Sequence, residues 1–397
     1  MRPHRRLRGR RARRRLLLKR AQTRTGYRGY RCGRPREPVL EIDCARAPDA
    51  RRFFDDFVRA RRPCVLRGYG RTAALGVVSD ACRAADSART WCEALDACAG
   101  PGVVRVERRE ANGFGRGKEC RLRVRGFVAE ALKSHVQNRA CEYYLTTQPL
   151  AEDAEGRPEL CGEPVASLVR AEKLPLTCPL LPSLILANAN VWMGCAPFAA
   201  PTSSGLHHDF HDNVLIQVCG TKRVRMWDPS ATRALRPRGG RASIHANGRI
   251  VYGGAPVEAD GRDALSTASL DLHRQLDAAS DSDDCDALLD AALALEARPA
   301  PPAAAGPPNF ATRAKAPPGL PSYGAVYLGP GDALYVPCGV WHEVSSGGGL
   351  HAAANYWCHP PDGASFDAPY ASPFWADDWA RRRATDPLLG GGSHNVR

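Results

Sequence analysis

The strongest constraint on this fold is a metal site that two distant stretches of chain must close together. In Ser204-Gly205-Leu206-His207-His208-Asp209-Phe210-His211-Asp212-Asn213, written as a strand, residues two apart share a face. His207 and Asp209 then converge while His208 looks away. One imidazole and one carboxylate need a third donor. The run Gly331-Asp332-Ala333-Leu334-Tyr335-Val336-Pro337-Cys338-Gly339-Val340-Trp341-His342 supplies it, a strand-like segment ending in a histidine. Two histidines and one carboxylate on one side of a metal leave the other side open, which suits non-haem Fe(II) oxygenase chemistry.

The sequence around these stretches predicts mainly β structure. Residues 214–220 and 222–227 read as two strands joined by a Gly-Thr turn and closed by Asp228-Pro229. Further strands are expected at 325–328, 333–336, 341–346 and 350–357, with Gly331-Asp332 and Gly347-Gly348-Gly349 marking the turns, and a buried strand pair at 183–193. Upstream, residues 49–60 form a capped amphipathic helix with Phe53, Phe54 and Phe57 on one face. Helices at 87–99 and 126–139 and strands at 63–68, 103–109 and 142–147 complete an extension over 37–180, wrapped on a barrel at 181–385.

Roughly a hundred residues separate the strands ending at 227 and beginning at 324, too many for a structureless connection in a compact domain. They are an insertion over about 230–322. Its residues 243–252 suit a hairpin, whereas 277–308, acidic and then Pro/Ala-rich, predict disorder. Near the end, Phe374, Trp375 and Trp379 share a helical face that can pack on the barrel or on a second copy as a homodimer. Residues 386–397 read as a frayed end.

Charge narrows the choice of partners. Sixteen of the 56 Arg and Lys fall within residues 1–36, which contain no acid, so the remainder carries 40 basic against 42 acidic residues. The Arg-rich tail predicts disorder, and a nuclear address, an RNA-binding arm and an inert solvated tail all remain open for it. The 15 cysteines include no C-x-x-C pair and are odd in number, which argues against a disulfide framework or zinc finger and for a reducing nuclear or cytoplasmic compartment. No apolar run reaches the length of a membrane span.

With the His-x-Asp pair joined to a histidine after a Gly-Asp-x-Leu-Tyr-x-Pro strand, the sequence resembles the JmjC, or cupin-like, family of 2-oxoglutarate- and Fe(II)-dependent oxygenases. The resemblance runs from about Phe53 to Trp357, interrupted by the insertion, and is most specific in 206–229 and 329–357. It implies a double-stranded β-helix, a jelly-roll barrel with flanking helices. It also implies iron held by His207, Asp209 and His342, with 2-oxoglutarate and O2 as co-substrates. Lys222 matches the lysine that pairs with the far carboxylate of 2-oxoglutarate, as a dianion in a partly dry barrel requires. Tyr144, Ser204, Asn213 and Asn355 match polar co-substrate contacts of the asparaginyl-hydroxylase-like branch. Ser204 stands where that branch often has Thr, which keeps the hydroxyl. His208 and His211 are extra histidines, and alternation lets His211 face the metal side as a substitute ligand, a substrate contact or a polar neighbour.

The resemblance implies oxidative decarboxylation of 2-oxoglutarate coupled to C–H hydroxylation. A hydroxylase acting on polypeptide side chains is the first expectation, because no zinc-ligand cluster of a reader module accompanies the barrel. A histone lysine demethylase, an oxygenase acting on RNA through the Arg-rich arm, and a catalytically silent cupin that only binds are the alternatives.

Overall fold

The computed structural model describes residues 26–386, apart from 73, 110–117, 153–157, 198, 254–256, 264–306 and 314, together with residue 388. In chain order the strands are β1 (Leu40–Asp43), β2 (Cys64–Arg67), β3 (Val103–Arg108), β4 (Glu119–Arg123), β5 (Tyr143–Leu145) and β6 (Leu186–Ala196). They continue as β7 (Thr202–Ser203), β8 (His207–His208), β9 (Asp212–Trp227), β10 (Ala242–Ile244), β11 (Ile250–Tyr252), β12 (Val326–Leu328), β13 (Ala333–Val336) and β14 (Trp341–Cys358). Twelve of these form one mixed sheet along the path β1-β2-β13-β9-β14-β6-β5-β3-β4, with β12 on β9 and both β7 and β8 on β14. A large mixed sheet with few flanking helices is the expected jelly-roll architecture.

The first helix, α1 (Ala50–Phe53), is capped by the Asp49 carboxylate, which accepts the Arg52 N–H, and runs directly into a wider π turn at Phe54–Val58. That turn lets Phe53, Phe54 and Phe57 all bury. Helices α2 (Ser87–Ala99) and α3 (Val124–Val136) present Trp91, Leu95 and Phe127 to the sheet without exposure. The last helix, α4 (Phe374–Thr385), seats Trp375 on His359 and Trp379 against the core, so its aromatic face packs on the barrel.

The structure corrects the sequence reading at several points. Leu186–Ala196 is one strand, not a pair. Likewise the two strands expected in 214–227 are the single β9, and those in 341–357 are the single β14. Gly331 does mark a turn, between β12 and β13, but Gly220 and the Gly347–Gly349 triplet are bends in continuous strands. Gly220 has φ +67°, and the β9–β14 register shifts between Gly347↔Thr221 and Ala352↔Cys219, so the Gly347–Gly349 triplet is a bulge opposite it. Both strands turn this corner together, and each serves two walls of the barrel.

The extension is also more integrated than expected, because β2 pairs with β13 and β5 with β6 inside the same sheet. The tail does not stay disordered up to Arg36. Tyr27 and Cys32 are buried, and the Cys32 N–H donates to Asp228 Oδ2 at 2.9 Å. Residues 1–25 lie outside the described residues, as do 277–306 of the segment expected to be disordered and nearly all of 386–397.

The turn before β14 is unusually intolerant. Gly339 has φ +73°, and a Cβ there would lie 1.8 Å from the Gly248 carbonyl oxygen. Gly339→Ala is expected to destabilise the fold by about 3 kcal/mol or more, from left-handed strain plus the clash. Urea unfolding checks this as a lowered midpoint.

Candidate metal centre

His207 lies on β8, and β14 pairs with β8 so that His342 stands opposite His207. Asp209 follows β8 immediately. Their ligand atoms all lie within 4.8 Å of one another, and the two imidazole centroids are 4.3 Å apart. His207 Nδ1–H donates to the Gly205 carbonyl at 3.0 Å, and His342 Nδ1–H to the Val340 carbonyl at 2.9 Å. Each ring's other nitrogen faces the carboxylate, with Nε2 of His207 3.9 Å from Asp209 Oδ1 and Nε2 of His342 3.7 Å from Oδ2.

Asp209 is oriented from behind. Its Oδ2 accepts from the Asn213 amide at 3.1 Å and from the Trp357 indole N–H at 3.2 Å, while Oδ1 takes no hydrogen bond among the described residues. Burial alone would raise the Asp209 pKa, but His342, His207 and the Asn213 amide outweigh it and hold the group below the usual carboxylate range. Burial, then the neighbouring His342, push His207 down to about 4. A neutral imidazole and an ionised carboxylate are the forms in which these side chains ligate a metal, so this donor set fits a divalent ion with an open face.

The other histidines turn away. His208 is fully buried, pushed down to about 3 by burial, with Nε2 at 2.6 Å from the Tyr252 hydroxyl. His211 does not join the cluster. Its ring lies on Trp357, 5.9 Å between centroids, and against His359, so it braces the indole that holds Asp209 rather than substituting as a ligand.

The triad opens onto a cavity of about 310 Å³. Alternation along the bent strands sets its walls: Asn213, Leu215, Lys222 and Val224 from β9, His342, Val344 and Ser346 from β14, and Leu334 and Val336 from β13. Lys222 pairs with Ser346 in register and its Nζ donates to Ser346 Oγ at 2.7 Å. It is 3% exposed, and burial pushes its pKa from 10.5 to about 8. Tyr144 lies on the same wall, its phenol pushed up by burial. Gly194 makes room for it, since a Cβ there would meet the Tyr144 ring at 2.6 Å.

Of the expected co-substrate contacts, Tyr144, Ser204, Asn213 and Lys222 line the cavity. Ser204 is exposed at its mouth, and its hydroxyl is engaged with the backbone, donating to Gly205 O and accepting the Val344 N–H. Asn355 does not line it. Its Oδ1 accepts from Asn190 and Trp192 and its Nδ2 donates to Asn213 Oδ1 at 3.0 Å, so its amide is fully used holding Asn213.

Sequence reasoning missed three participants. Ser346 shares a face with His342, four residues on, and alternation could have found it. Trp357 needed the knowledge that its N–H reaches Asp209. Phe310 carried no signal, because it comes from the insertion. Residues 309–311 return beside β8, with His208 N–H donating to Asn309 O at 3.2 Å and Ala311 N–H to Leu206 O at 2.8 Å. This seats the Phe310 ring on His207, stacked at 5.0 Å between centroids, as part of the cavity wall.

Two kinds of comparison accompany this geometry. The family described as "Cupin-like domain" matches residues 50–364. Among curated proteins, the chain is 28% identical to "JmjC domain-containing protein 4" of Schizosaccharomyces pombe, over 57% of this chain and 67% of that protein. It is 25% identical to "Lysine-specific demethylase JMJ31" of Arabidopsis thaliana, over 61% of this chain and 34% of that protein. The chain thus spans about two thirds of one relative and one third of the other. Among the described residues, no helix is long and apolar enough to cross a membrane.

Proposed function

The chain belongs to the cupin-like JmjC domain family, and from that premise we propose an Fe(II)- and 2-oxoglutarate-dependent dioxygenase that hydroxylates a polypeptide side chain. The observation that carries the reading is the His207–Asp209–His342 cluster opening onto the same cavity as the buried Lys222 ammonium. Iron, 2-oxoglutarate and O2 together supply the oxidising power for C–H hydroxylation, with succinate and CO2 as co-products.

The protein's own groups do the rest. His207, Asp209 and His342 would hold the metal. Lys222, with Ser346 and Tyr144 beside it, meets the far carboxylate of the co-substrate as a charge-assisted hydrogen bond in a dry wall. Asn213 and Trp357 keep the Asp209 carboxylate turned to the metal. Leu215, Val224, Leu334 and Val336 exclude water from the floor, and Trp192, Trp357 and Phe310 leave a space walled by aromatic rings where a substrate group enters.

A second reading has its own observation. Residues 229–253 and 307–322 hold Arg233, Arg236, Arg238, Arg241, Arg249, Arg313 and Lys315 and no acid. Arg238 lies over the Phe310 ring at 5.4 Å, so part of this basic stretch borders the cavity. An RNA substrate would use that border, with the basic residues 1–36 as an added tether. In a demethylase reading, which the name of the Arabidopsis thaliana relative suggests, this chain would apply the same oxidation to an N-methyl group.

The test is succinate formation from 2-oxoglutarate under air with Fe(II) and ascorbate, followed by peptide, methyl-lysine peptide and RNA arms. Stimulation by peptide with a mass gain of one oxygen supports the first reading. Stimulation by RNA, weakening steeply with salt, favours the second. A chain that takes up no iron and forms no succinate overturns the oxygenase and leaves a binding cupin.

A further inference from the structure

We infer that Arg61 is a positioning residue for the metal centre, fixing through Asp212 the spacing between the segment that carries His207 and Asp209 and the loop that leads into His342. The inference rests on the oxygenase reading for the presence of the metal, and on the geometry alone for the rest.

Asp212 opens β9, three residues after Asp209, and is 0% exposed. Its carboxylate is filled by four donors. Arg61 approaches as a fork, with Nη1 at 2.8 Å from Oδ2 and Nη2 on Oδ1. The Tyr335 hydroxyl donates to Oδ2 at 2.7 Å, and the Cys338 N–H donates to Oδ1 at 3.0 Å. Cys338 lies four residues before His342, and the next residue, Gly339, donates its N–H to the Asp209 carbonyl at 2.9 Å. The two metal-bearing segments are therefore clasped twice, once by backbone and once through Asp212. Arg61 Nη2 also reaches Cys338 Sγ at 3.3 Å, so the guanidinium touches both sides of the clasp.

Arg61 itself is held in a conformation an L residue avoids, with φ +54°. Its N–H donates to Val58 O at 3.1 Å, and it is 3% exposed. A buried ion pair is a weak source of net stability, because desolvation offsets the attraction. Strained backbone spent on aiming one buried guanidinium at a carboxylate between two ligand loops fits a geometric role. A bidentate planar fork fixes distance and angle together, which a lysine ammonium does not.

The nearby Arg67–Asp332 pair provides a control. It joins β2 to the turn before β13 at 2.8 Å, is partly exposed, and touches no ligand loop. The experiment titrates the full chain with Co(II), a redox-silent probe, without O2. Affinity is read by calorimetry and coordination by visible absorption, with melting midpoints measured alongside. Arg61→Lys and Asp212→Asn are expected to weaken Co(II) binding at least about tenfold, and Tyr335→Phe about threefold, with altered absorption. Arg67→Met should stay within about twofold of wild type even where its midpoint falls. If Arg61→Lys does not fold, Tyr335→Phe, which removes a single neutral donor, carries the test. Wild-type affinity and spectrum in folded Arg61→Lys or Tyr335→Phe overturn the inference, as does an equal loss in Arg67→Met. A wild-type chain that takes no Co(II) overturns the metal reading as well.

Discussion

His342→Ala is expected to leave a folded chain that loses iron on dialysis and forms succinate at less than about a hundredth of the wild-type rate, a larger effect than the 10–100-fold typical for outer partners of metal ligands. With His342 gone, one imidazole and one carboxylate remain, and no other His, Cys, Asp or Glu among the described residues joins them in a ligand cluster. His211 does not replace it, since its ring is committed to Trp357 and His359. The surrounding fold should survive, because β14 is paired on both sides through backbone bonds that the side chain does not make. Metal content after dialysis and succinate yield check the result together. Retained iron with retained turnover would place the metal elsewhere.

Lys222→Met should separate binding from stability. Loss of a buried charge-assisted contact to a dianion is worth about 2–5 kcal/mol, so the 2-oxoglutarate Kd should rise by roughly 30-fold to several thousandfold. The free protein should become more stable, because holding the ammonium in a dry wall lowers its pKa from 10.5 to about 8, a burden on the order of 3 kcal/mol at neutral pH. The sign is fixed by proton counting. Between about pH 8 and 10.5 the unfolded chain holds a proton that the folded chain has released, so wild-type stability rises with pH across that window and the methionine variant lacks the rise. Binding runs the other way. Below about pH 8 the free site is an ammonium and the 2-oxoglutarate Kd is flat, whereas above it Kd should weaken about tenfold per pH unit. Calorimetric titration from pH 7 to 9.5 checks this, and a pH-independent wild-type Kd would remove Lys222 from the co-substrate site.

A period of two within a short window made His207 and Asp209 legible, the strand-like run that ends in a histidine made His342 legible, and Lys222 came from the family resemblance; all four line the cavity. Gly220 and the Gly347–Gly349 triplet misled because a glycine's local preference is the same for a turn and for a bulge. Only pairing across strands decides between them. Asn355 was expected to touch the co-substrate and does not line the cavity, because no pattern says which neighbours consume an amide, and here Asn190, Trp192 and Asn213 do. Phe310 and Arg61 were invisible for opposite reasons. One sits in an insertion without periodicity, and the other is a single arginine in a chain that holds 56 Arg and Lys.

The paired bend of β9 and β14 acts as a parity setting for the whole barrel. Alternation gives every residue of a strand an even or odd sense, and the bulge at Gly347–Gly349 decides how the sense of 341–346 carries over to 350–358. His342 and Ser346 are read on one side of it and Trp357 on the other, yet all three face one cavity. Deleting a single glycine of the triplet would invert every residue beyond it, turning Trp357 away from Asp209 without altering any side chain. A shift of one position in a segment remote from the ligands would therefore silence the centre, whereas compensating changes in pairs of residues would preserve it.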